Sequence, residues 1–142
     1  MRYVITAQPN PDAPSKPADF DPALFKAYMA FNEEMHRAGV LIACEGLNPA
    51  GRMGHAIVKN GKRVAVDGPF AETKELVGGF YIIEVPTFED ALAWAAKAPS
   101  GMGFDDVMEV RPLTGAGDLP PELVELIKEA APSWSATFVK GR

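Results

Sequence analysis

The apolar residues of this chain recur at two different spacings along its length. Four short runs, rich in β-branched and aromatic side chains, have the length and composition of strands: residues 2–8, 40–47, 80–85 and 106–111. Longer stretches repeat their apolar residues every three or four positions, which is the spacing of amphipathic helices. The pattern therefore predicts an α+β protein.

The first predicted helix has well-marked ends. Asp21 is a suitable N-cap, Pro22 suits the first helical position, and Gly39 suits the position just past the last turn. The apolar stripe between these ends consists of Leu24, Tyr28, Phe31 and Met35, and it is widened by Phe25 and Met29. We expect this stripe to lie on a sheet.

Two more helices are predicted nearer the C-terminus. Thr87 and Asp90 nearly match the capping box that begins a helix, and Pro99 ends that helix. Its inner stripe is predicted to be Phe88, Ala91, Leu92 and Ala95. A further amphipathic helix is predicted over residues 121–131, and an apolar tail follows at residues 133–139.

The strongest turn signal is the pair Asn60-Gly61. Both residues tolerate positive φ, so they suit a two-residue type I′ turn between two antiparallel strands. In the resulting register Ile57 lies opposite Val64 on one face, while alternate positions such as Ala56 point to the other. Because both faces carry apolar side chains, we infer that the second face packs on a partner subunit in a two-fold homodimer.

The order of strands and helices resembles a split βαβ or ferredoxin-like arrangement, with two helices on one face of an antiparallel sheet. Residues 1–113 are predicted to form this domain, and residues 114–142 a C-terminal extension of linker, helix and tail. The proline-rich loop 9–20 and the tail 133–139 are each interpreted as a lid over a cleft or as a dimer arm.

Composition narrows the classes of partner. The formal charge is −5, the pI is about 5.0 and no run of Lys or Arg occurs, so we expect no nucleic-acid partner. The single cysteine, Cys44, excludes an intrachain disulfide framework and fits a reducing compartment. Neither a signal-peptide pattern nor an apolar run of about 18 residues is present, so we predict a cytoplasmic protein that does not enter a membrane.

Two carboxylates are the candidate catalytic residues. Asp67 opens the sequence Asp67-Gly68-Pro69, in which it acts either as a turn-maker that accepts local backbone N–H groups or as an acid in a pocket. Glu45 ends an otherwise apolar strand, where a charged group needs water or a partner. It is interpreted either as a carboxylate at a wet end of the sheet or as the partner of Asp67 in an acid–base pair.

Phe70 and Tyr81 are the candidate ligand-binding residues. Their aromatic rings suit the wall of a small apolar pocket, with burial in the protein core as the alternative.

The two histidines are weaker candidates for a catalytic or metal-binding role. In the predicted hairpin register His55 lies on the face opposite Asp67, and His36 suits the surface near the C-terminus of a helix. Neither histidine forms a metal-ligand spacing with Cys44, and the chain contains no phosphate loop and no nucleophile elbow. We therefore expect no metal and no cofactor.

Five segments of the chain resemble the YCII-related family in its DGPF subgroup. They are Ala38-Gly39-Val40-Leu41, Glu45-Gly46-Leu47 before Pro49, Val66-Asp67-Gly68-Pro69-Phe70-Ala71-Glu72-Thr73-Lys74-Glu75, Gly78-Gly79-Phe80-Tyr81-Ile82-Ile83-Glu84 and Val110-Arg111-Pro112. The resemblance extends from Arg2 to about Pro112. It is specific because so many positions match in the right order.

This resemblance implies a dimeric α+β barrel, in which two ferredoxin-like subunits pack sheet to sheet and each contains a cleft for a small molecule. Some members are proposed to use a histidine on the first helix with a nearby aspartate. Here that helix contains only His36, in its last turn, which argues against a histidine-based mechanism. The DGPF subgroup is also similar to proteins associated with extracytoplasmic-function sigma factors, which implies a regulatory setting.

Two functions from different classes follow. The first, which we favour, is a small-molecule-binding or regulatory module, with a sigma factor as a candidate partner. The second is a small-molecule enzyme in which Asp67 and Glu45 perform acid–base chemistry in a cleft covered by loop 9–20. The predicted fold does not distinguish the binding module from the enzyme, because one fold supports many functions.

Overall fold

The computed structural model describes residues 1–12, 21–48, 53–68 and 77–139. In chain order, the elements are β1 (Arg2–Gln8), α1 (Pro22–Arg37), β2 (Leu41–Gly46), β3 (Gly54–Lys59), β4 (Lys62–Asp67), β5 (Gly79–Glu84), α2 (Phe88–Ala96), β6 (Val107–Pro112), a 3₁₀ turn (Ala116–Asp118), α3 (Pro121–Ala130) and α4 (Pro132–Val139). None of the helices within these ranges is long and apolar enough to cross a membrane.

Four strands form one antiparallel sheet in the order β2-β5-β1-β6. With α1 following its first strand and α2 preceding its last, this order is the ferredoxin-like arrangement predicted from the sequence. One face of the sheet and the two helices form the core, whose buried members are Tyr3, Ile5, Phe31, Met35, Tyr81, Ile83, Val85, Ala91 and Ala95. Both helices therefore lie on the same face of the sheet.

The predicted ends of α1 are confirmed. The side chain of Asp21 accepts a hydrogen bond from the Ala23 backbone N–H at 2.9 Å, and Pro22 occupies the first helical position. Past the last turn, Gly39 has a φ of 74°, a conformation that a residue with a Cβ rarely adopts. Local chemistry in the sequence is thus sufficient to define where α1 begins and ends.

The beginning of α2 is also confirmed, and its inner face is only partly as predicted. The capping box is complete, since the Asp90 N–H donates to the Thr87 hydroxyl and the Thr87 N–H donates to the Asp90 carboxylate. Ala91 is buried as expected, but Phe88 and Leu92 remain exposed. Small alanine side chains let the helix approach the sheet closely, so the larger side chains lie at the margin of the contact.

The Asn60-Gly61 hairpin has the predicted turn and register. Both φ angles are positive, at 52° and 76°, and Ile57 lies opposite Val64. Its place in the fold differs from the prediction, because among the described strands β3 and β4 pair only with each other and form a separate two-stranded sheet. Both faces of the hairpin are exposed, so its apolar pattern is not evidence about what covers the main sheet.

The main sheet has its own second face, which points away from α1 and α2. Val4 and Ile82 lie opposite each other there, with Thr6 two residues along β1, and all three are half-buried. Charged residues such as Glu109 and Arg111 share this face and are exposed. An apolar centre with a charged margin is thus a property of the four-stranded sheet.

The C-terminal tail is helical, where the sequence indicated only an apolar segment. Trp134 stacks on Phe138 one helical turn later, with ring centroids 5.2 Å apart and planes 16° from parallel. Phe138 and Ser135 are buried, whereas Trp134 is exposed.

Replacing Gly79 by alanine is expected to destabilise the sheet. A Cβ at this position would lie 2.9 Å from the Glu45 carbonyl oxygen, which belongs to the backbone of the adjacent strand and cannot move aside. We expect Gly79→Ala to lower the free energy of unfolding by about 1–3 kcal/mol, the usual range for overpacking. Urea denaturation would measure it, with Gly117→Ala as the control because a Cβ at position 117 meets nothing within 4 Å. Equal stability of the two variants would contradict this prediction.

Candidate functional site

A cavity of about 550 Å³ opens between α1, the adjoining ends of β2 and β5, and the segment that joins α2 to β6. Most of its lining is apolar: the aromatic residues Phe25, Tyr28, Phe80, Tyr81 and Phe104, and the methionines Met29, Met102 and Met108. This volume and lining are typical of sites for small organic molecules.

Helix α1 supplies one wall of the cavity through residues at i, i+4 and i+7. Phe25, Met29 and Asn32 follow one another along the helix, beside the stripe that contacts the sheet. Phe25 remains 49% exposed and Met29 44%, although the sequence pattern grouped both with the core-facing residues. The widened stripe therefore belongs to the cavity and not to the core.

The opposite wall is fixed to α1 by Asp105. This side chain is only 4% exposed, and its oxygens accept hydrogen bonds from the backbone N–H groups of Gly101 and Met102 at 3.0 Å and from the Tyr28 hydroxyl. The Tyr28 hydroxyl also lies 2.9 Å from the Pro99 carbonyl oxygen. A buried carboxylate with three donors is well compensated, so it holds the segment between α2 and β6 against the helix.

Sequence reasoning missed the role of Asp105. The only signal was local, an aspartate just after two glycines, which is typical of a side chain that binds nearby backbone N–H groups. Its bond to Tyr28 joins residues 77 positions apart and has no local signature.

The floor of the cavity contains Tyr81, which is 8% exposed and whose hydroxyl makes no hydrogen bond with any described residue. Burial, and to a lesser extent the neighbouring Cys44 and Asp105, raise the pKa of Tyr81 to about 12. Burial and Asp105 raise the pKa of Tyr28 still further. Both phenols are therefore neutral hydrogen-bonding groups throughout the physiological range.

Cys44 lines the cavity beside Tyr81, its partner across the β2–β5 pair. Burial, followed by the nearby Glu45, raises the pKa of the Cys44 thiol. Because the thiolate is the nucleophilic form, this environment disfavours nucleophilic chemistry at Cys44.

Asn32 is the polar residue that α1 contributes to the cavity. Its Oδ1 is buried and has no hydrogen-bond partner among the described residues. An unpaired buried carbonyl oxygen costs about 1–3 kcal/mol. Such an oxygen at the edge of a cavity is typical of a group whose partner is a ligand.

The glycines that precede and begin β5 allow the walls to approach each other. A Cβ at Gly78 would lie 2.6 Å from the Phe104 Cβ, so only glycine lets the Phe104 ring reach the cavity. The two glycines therefore allow close packing, of Gly78 against Phe104 and of Gly79 against the backbone of β2.

Two of the four predicted site residues lie at this cavity. Glu45 and Tyr81 both line it, and Glu45 is exposed. Asp67 ends β4, opposite Gly54, where it is exposed and is not among the residues that line the cavity. Phe70 lies outside the described residues. The structure therefore does not bring Asp67 and Glu45 together at this cavity.

The histidines lie away from the cavity. His36 is exposed in the last turn of α1, and His55 is exposed on β3, on the hairpin face opposite Asp67 as the register predicted. Within residues 1–12, 21–48, 53–68 and 77–139, no group of three His, Cys, Asp or Glu side chains is arranged to hold a metal ion.

The family profile of the YCII-related domain matches residues 1–115, which is most of the chain. The chain belongs to the YCII-related family. This membership confirms the resemblance drawn from the motifs, and it extends from β1 to just past β6.

Individual proteins are also similar to this YCII-related chain. An uncharacterized protein of Rhizobium meliloti (strain 1021) is 40% identical over 62 residues, which span 42% of this chain and only half the length of that relative. Among solved structures, 5-chloro-2-hydroxyhydroquinone dehydrochlorinase of Burkholderia phenoliruptrix AC1100, in complex with 2,5-dihydroxybenzoquinone, aligns over 84% of this chain and the whole of that one. At 14% identity and a TM-score of 0.42, this similarity supports no statement about activity.

The raised pKa of Tyr81 predicts a loss of stability in alkaline solution. The folded state holds the phenolic proton up to about pH 12, whereas the unfolded chain releases it near pH 10. Stability is therefore fully present below pH 10 and falls as the pH rises towards 12. We expect Tyr81→Phe to make this fall shallower, which urea denaturation at a series of pH values would measure. An unchanged pH dependence would contradict the assignment.

Proposed function

We propose that this protein is a small-molecule-binding module whose ligand occupies the cavity between α1 and the sheet. The observation that supports this proposal most directly is the combination of an aromatic and methionine lining with two polar groups that make no hydrogen bond to any described residue. Those groups are the Asn32 Oδ1 and the Tyr81 hydroxyl. An apolar cavity with a few hydrogen-bonding groups gives both affinity and orientation to a ligand.

The protonation states of the lining favour binding over catalysis. Tyr28, Cys44 and Tyr81 all have raised pKa values, so none of them is a ready base or nucleophile near neutral pH. The Asp105 carboxylate is already occupied by three donors. A module that senses a metabolite needs no such reactive group.

Acid–base catalysis is the second candidate function, and Glu45 supports it. This residue lines the cavity on the edge strand β2 and carries a carboxylate, the group that acid–base chemistry needs, although its pairing with Phe80 directs the side chain towards the second face of the sheet. The proposed pairing of Glu45 with Asp67 has less support, because Asp67 does not line the cavity.

The working unit of the proposed module is a homodimer formed through the second face of the main sheet. Support comes from the half-buried centre of that face, which includes Val4 and Ile82, and from the position of α1 and α2 on the other face. Two-fold association would bury this apolar centre against its own copy. A sigma-factor partner, a cytoplasmic location and a separate extension at residues 114–142 stay predictions.

Ligand binding is tested with a neutral aromatic probe, 2-(1-naphthyl)ethanol, by isothermal titration calorimetry. We expect one site per chain, and we expect Gly46→Leu to weaken binding by about tenfold, or 1.4 kcal/mol. Position 46 lies on the same face of β2 as Cys44, and a Cβ there meets nothing within 4 Å. A leucine side chain would therefore enter the cavity without straining the backbone.

The matched control is Gly117→Leu. A Cβ at this position also meets nothing within 4 Å, but Gly117 does not line the cavity. The control should bind the probe like the wild type. Binding that is equally strong in the Gly46 variant would place the probe elsewhere and contradict the proposed site.

Dimerisation is tested by replacing Ile82 with glutamate. A charge at the centre of the second face would be buried without a partner in the dimer, so we expect Ile82→Glu to yield monomers. Light scattering at micromolar concentration measures the mass, and circular dichroism checks that the variant is folded. A monomeric wild-type protein, or a folded variant that remains dimeric, would contradict the proposed interface.

A further inference from the structure

Beside Tyr81, the floor of the cavity is a row of very small residues. Ala7, Gly46 and Gly79 lie on three neighbouring strands, and the register pairs Gly79 with each of the other two. All three face α1, since each lies two positions along its strand from a residue packed in the core. Neighbouring strands are about 4.8 Å apart, so the row leaves about 10 Å of backbone without a large side chain. This small-residue floor fits the face of a flat ring system.

Aromatic and methionine side chains lie on either side of this floor. Helix α1 contributes Phe25 and Met29, and the segment between α2 and β6 contributes Met102 and Phe104. Aromatic rings prefer offset-stacked or edge-to-face contacts with other rings, and flexible thioethers adapt to the ring edges. These walls are therefore more complementary to an aromatic body than to a compact, rounded one.

Among the described residues, the side chains that reach the cavity offer no uncompensated charge. Glu45 lies opposite Phe80, which in turn lies opposite Thr6, so the Glu45 carboxylate is directed to the second face of the sheet. The Asp105 carboxylate already accepts hydrogen bonds from three donors. The described lining includes no Lys, Arg or His. An ionic ligand would therefore lose its hydration without gaining an opposite charge from these residues, which is costly.

The polar groups that remain are neutral and both donate and accept hydrogen bonds. The Tyr81 hydroxyl makes no hydrogen bond with any described residue, and its raised pKa of about 12 keeps it protonated at neutral pH. The Asn32 amide lies at the same cavity, and its Oδ1 has no partner among the described residues. Such groups are matched best by a ligand group of the same kind, which donates and accepts without a charge.

We infer that the ligand of this cavity is an uncharged, flat aromatic molecule, whose rings lie on the small-residue floor and whose amide or hydroxyl group bonds to the Tyr81 hydroxyl. This inference rests on the proposed function, since it specifies the ligand class of the same cavity. A charged molecule of the same shape would lack a countercharge. A rounded molecule of similar size would leave part of the floor uncovered.

Three probes of nearly equal shape test the absence of charge: 1-naphthaleneacetamide, 1-naphthaleneacetate and 2-(1-naphthyl)ethylamine. At pH 7 they are a neutral amide, an anion and a cation on the same ring system. By isothermal titration calorimetry we expect the amide to bind about tenfold more tightly than either ion, because each ion loses hydration without compensation. Gly46→Leu, which places a side chain on the floor, should weaken amide binding, whereas Gly117→Leu should not.

An adamantane probe tests the flat shape. 1-Adamantaneacetamide carries the same amide group and as many ring carbons as 1-naphthaleneacetamide, but its apolar body is rounded. We expect the adamantane probe to bind about tenfold more weakly, because a rounded body contacts a flat floor through fewer atoms. Equal or tighter binding of the adamantane probe would overturn the inferred shape.

The contact with Tyr81 is tested by Tyr81→Phe, which removes the hydroxyl and keeps the ring that packs on Phe31. The informative quantity is the affinity for 1-naphthaleneacetamide divided by that for 1-methylnaphthalene, which has no polar group. We expect Tyr81→Phe to lower this ratio about fivefold, as expected for the loss of one hydrogen bond. Tyr3→Phe is the matched control, since it removes a hydroxyl from a core tyrosine that does not line the cavity. The control should leave the ratio unchanged.

The outcomes separate this inference from the proposed function. If either ion binds as tightly as the amide and is weakened by Gly46→Leu, the uncharged ligand is overturned and the binding module stays intact. A ratio that Tyr81→Phe leaves unchanged would likewise overturn the inferred contact. Amide binding that survives in the Gly46 variant would place the probe elsewhere and overturn the inference. Failure of every probe to bind, 2-(1-naphthyl)ethanol included, would overturn the inference and the proposed function together.

Discussion

Packing of α1 on β5 is the contact on which both the fold and the site depend. The Phe31 ring meets the Tyr81 ring edge to face, with centroids 5.5 Å apart and planes 81° apart, beside the fully buried Met35. This contact seats the helix on the sheet and fixes the plane of Tyr81. The hydroxyl end of the same side chain lies at the cavity, so one residue belongs to the core through its ring and to the site through its oxygen.

The buried carboxylate of Asp105 gives the cavity its second wall. Removing a charge from water is costly, and here three donors offset that cost. Two of the donors are backbone N–H groups of the segment itself, and the third is the Tyr28 hydroxyl on α1. Asp105 therefore shapes the segment and attaches it to the helix, while adding negative charge near the space where a ligand would bind.

Membership of the YCII-related family defines the domain, whereas the site is described by the residues that this chain places in it. Where some family members are proposed to use a histidine on the first helix, α1 here presents Tyr28 bonded to Asp105. The phenols of Tyr28 and Tyr81 are neutral at physiological pH because their pKa values are raised. The raised pKa of Cys44 likewise keeps its thiol protonated to a higher pH than usual. An apolar cavity lined by these neutral hydrogen-bonding groups fits the proposed role of binding a small molecule.

The sequence by itself determined the local structure of this protein: the N-cap Asp21, the capping box at Thr87 and the register set by Asn60-Gly61 all follow from short-range chemistry. Its motifs also identified the family, and its order of elements the ferredoxin-like sheet. Only the tertiary structure decided that the hairpin lies outside the main sheet and that Asp67 does not line the cavity with Glu45. Local structure depends on residues that are neighbours along the chain, so it can be predicted from the sequence. A cavity depends on packing between residues that are far apart in the sequence. The Tyr28–Asp105 bond, across 77 positions, exists only after α1, the sheet and the segment before β6 have come together.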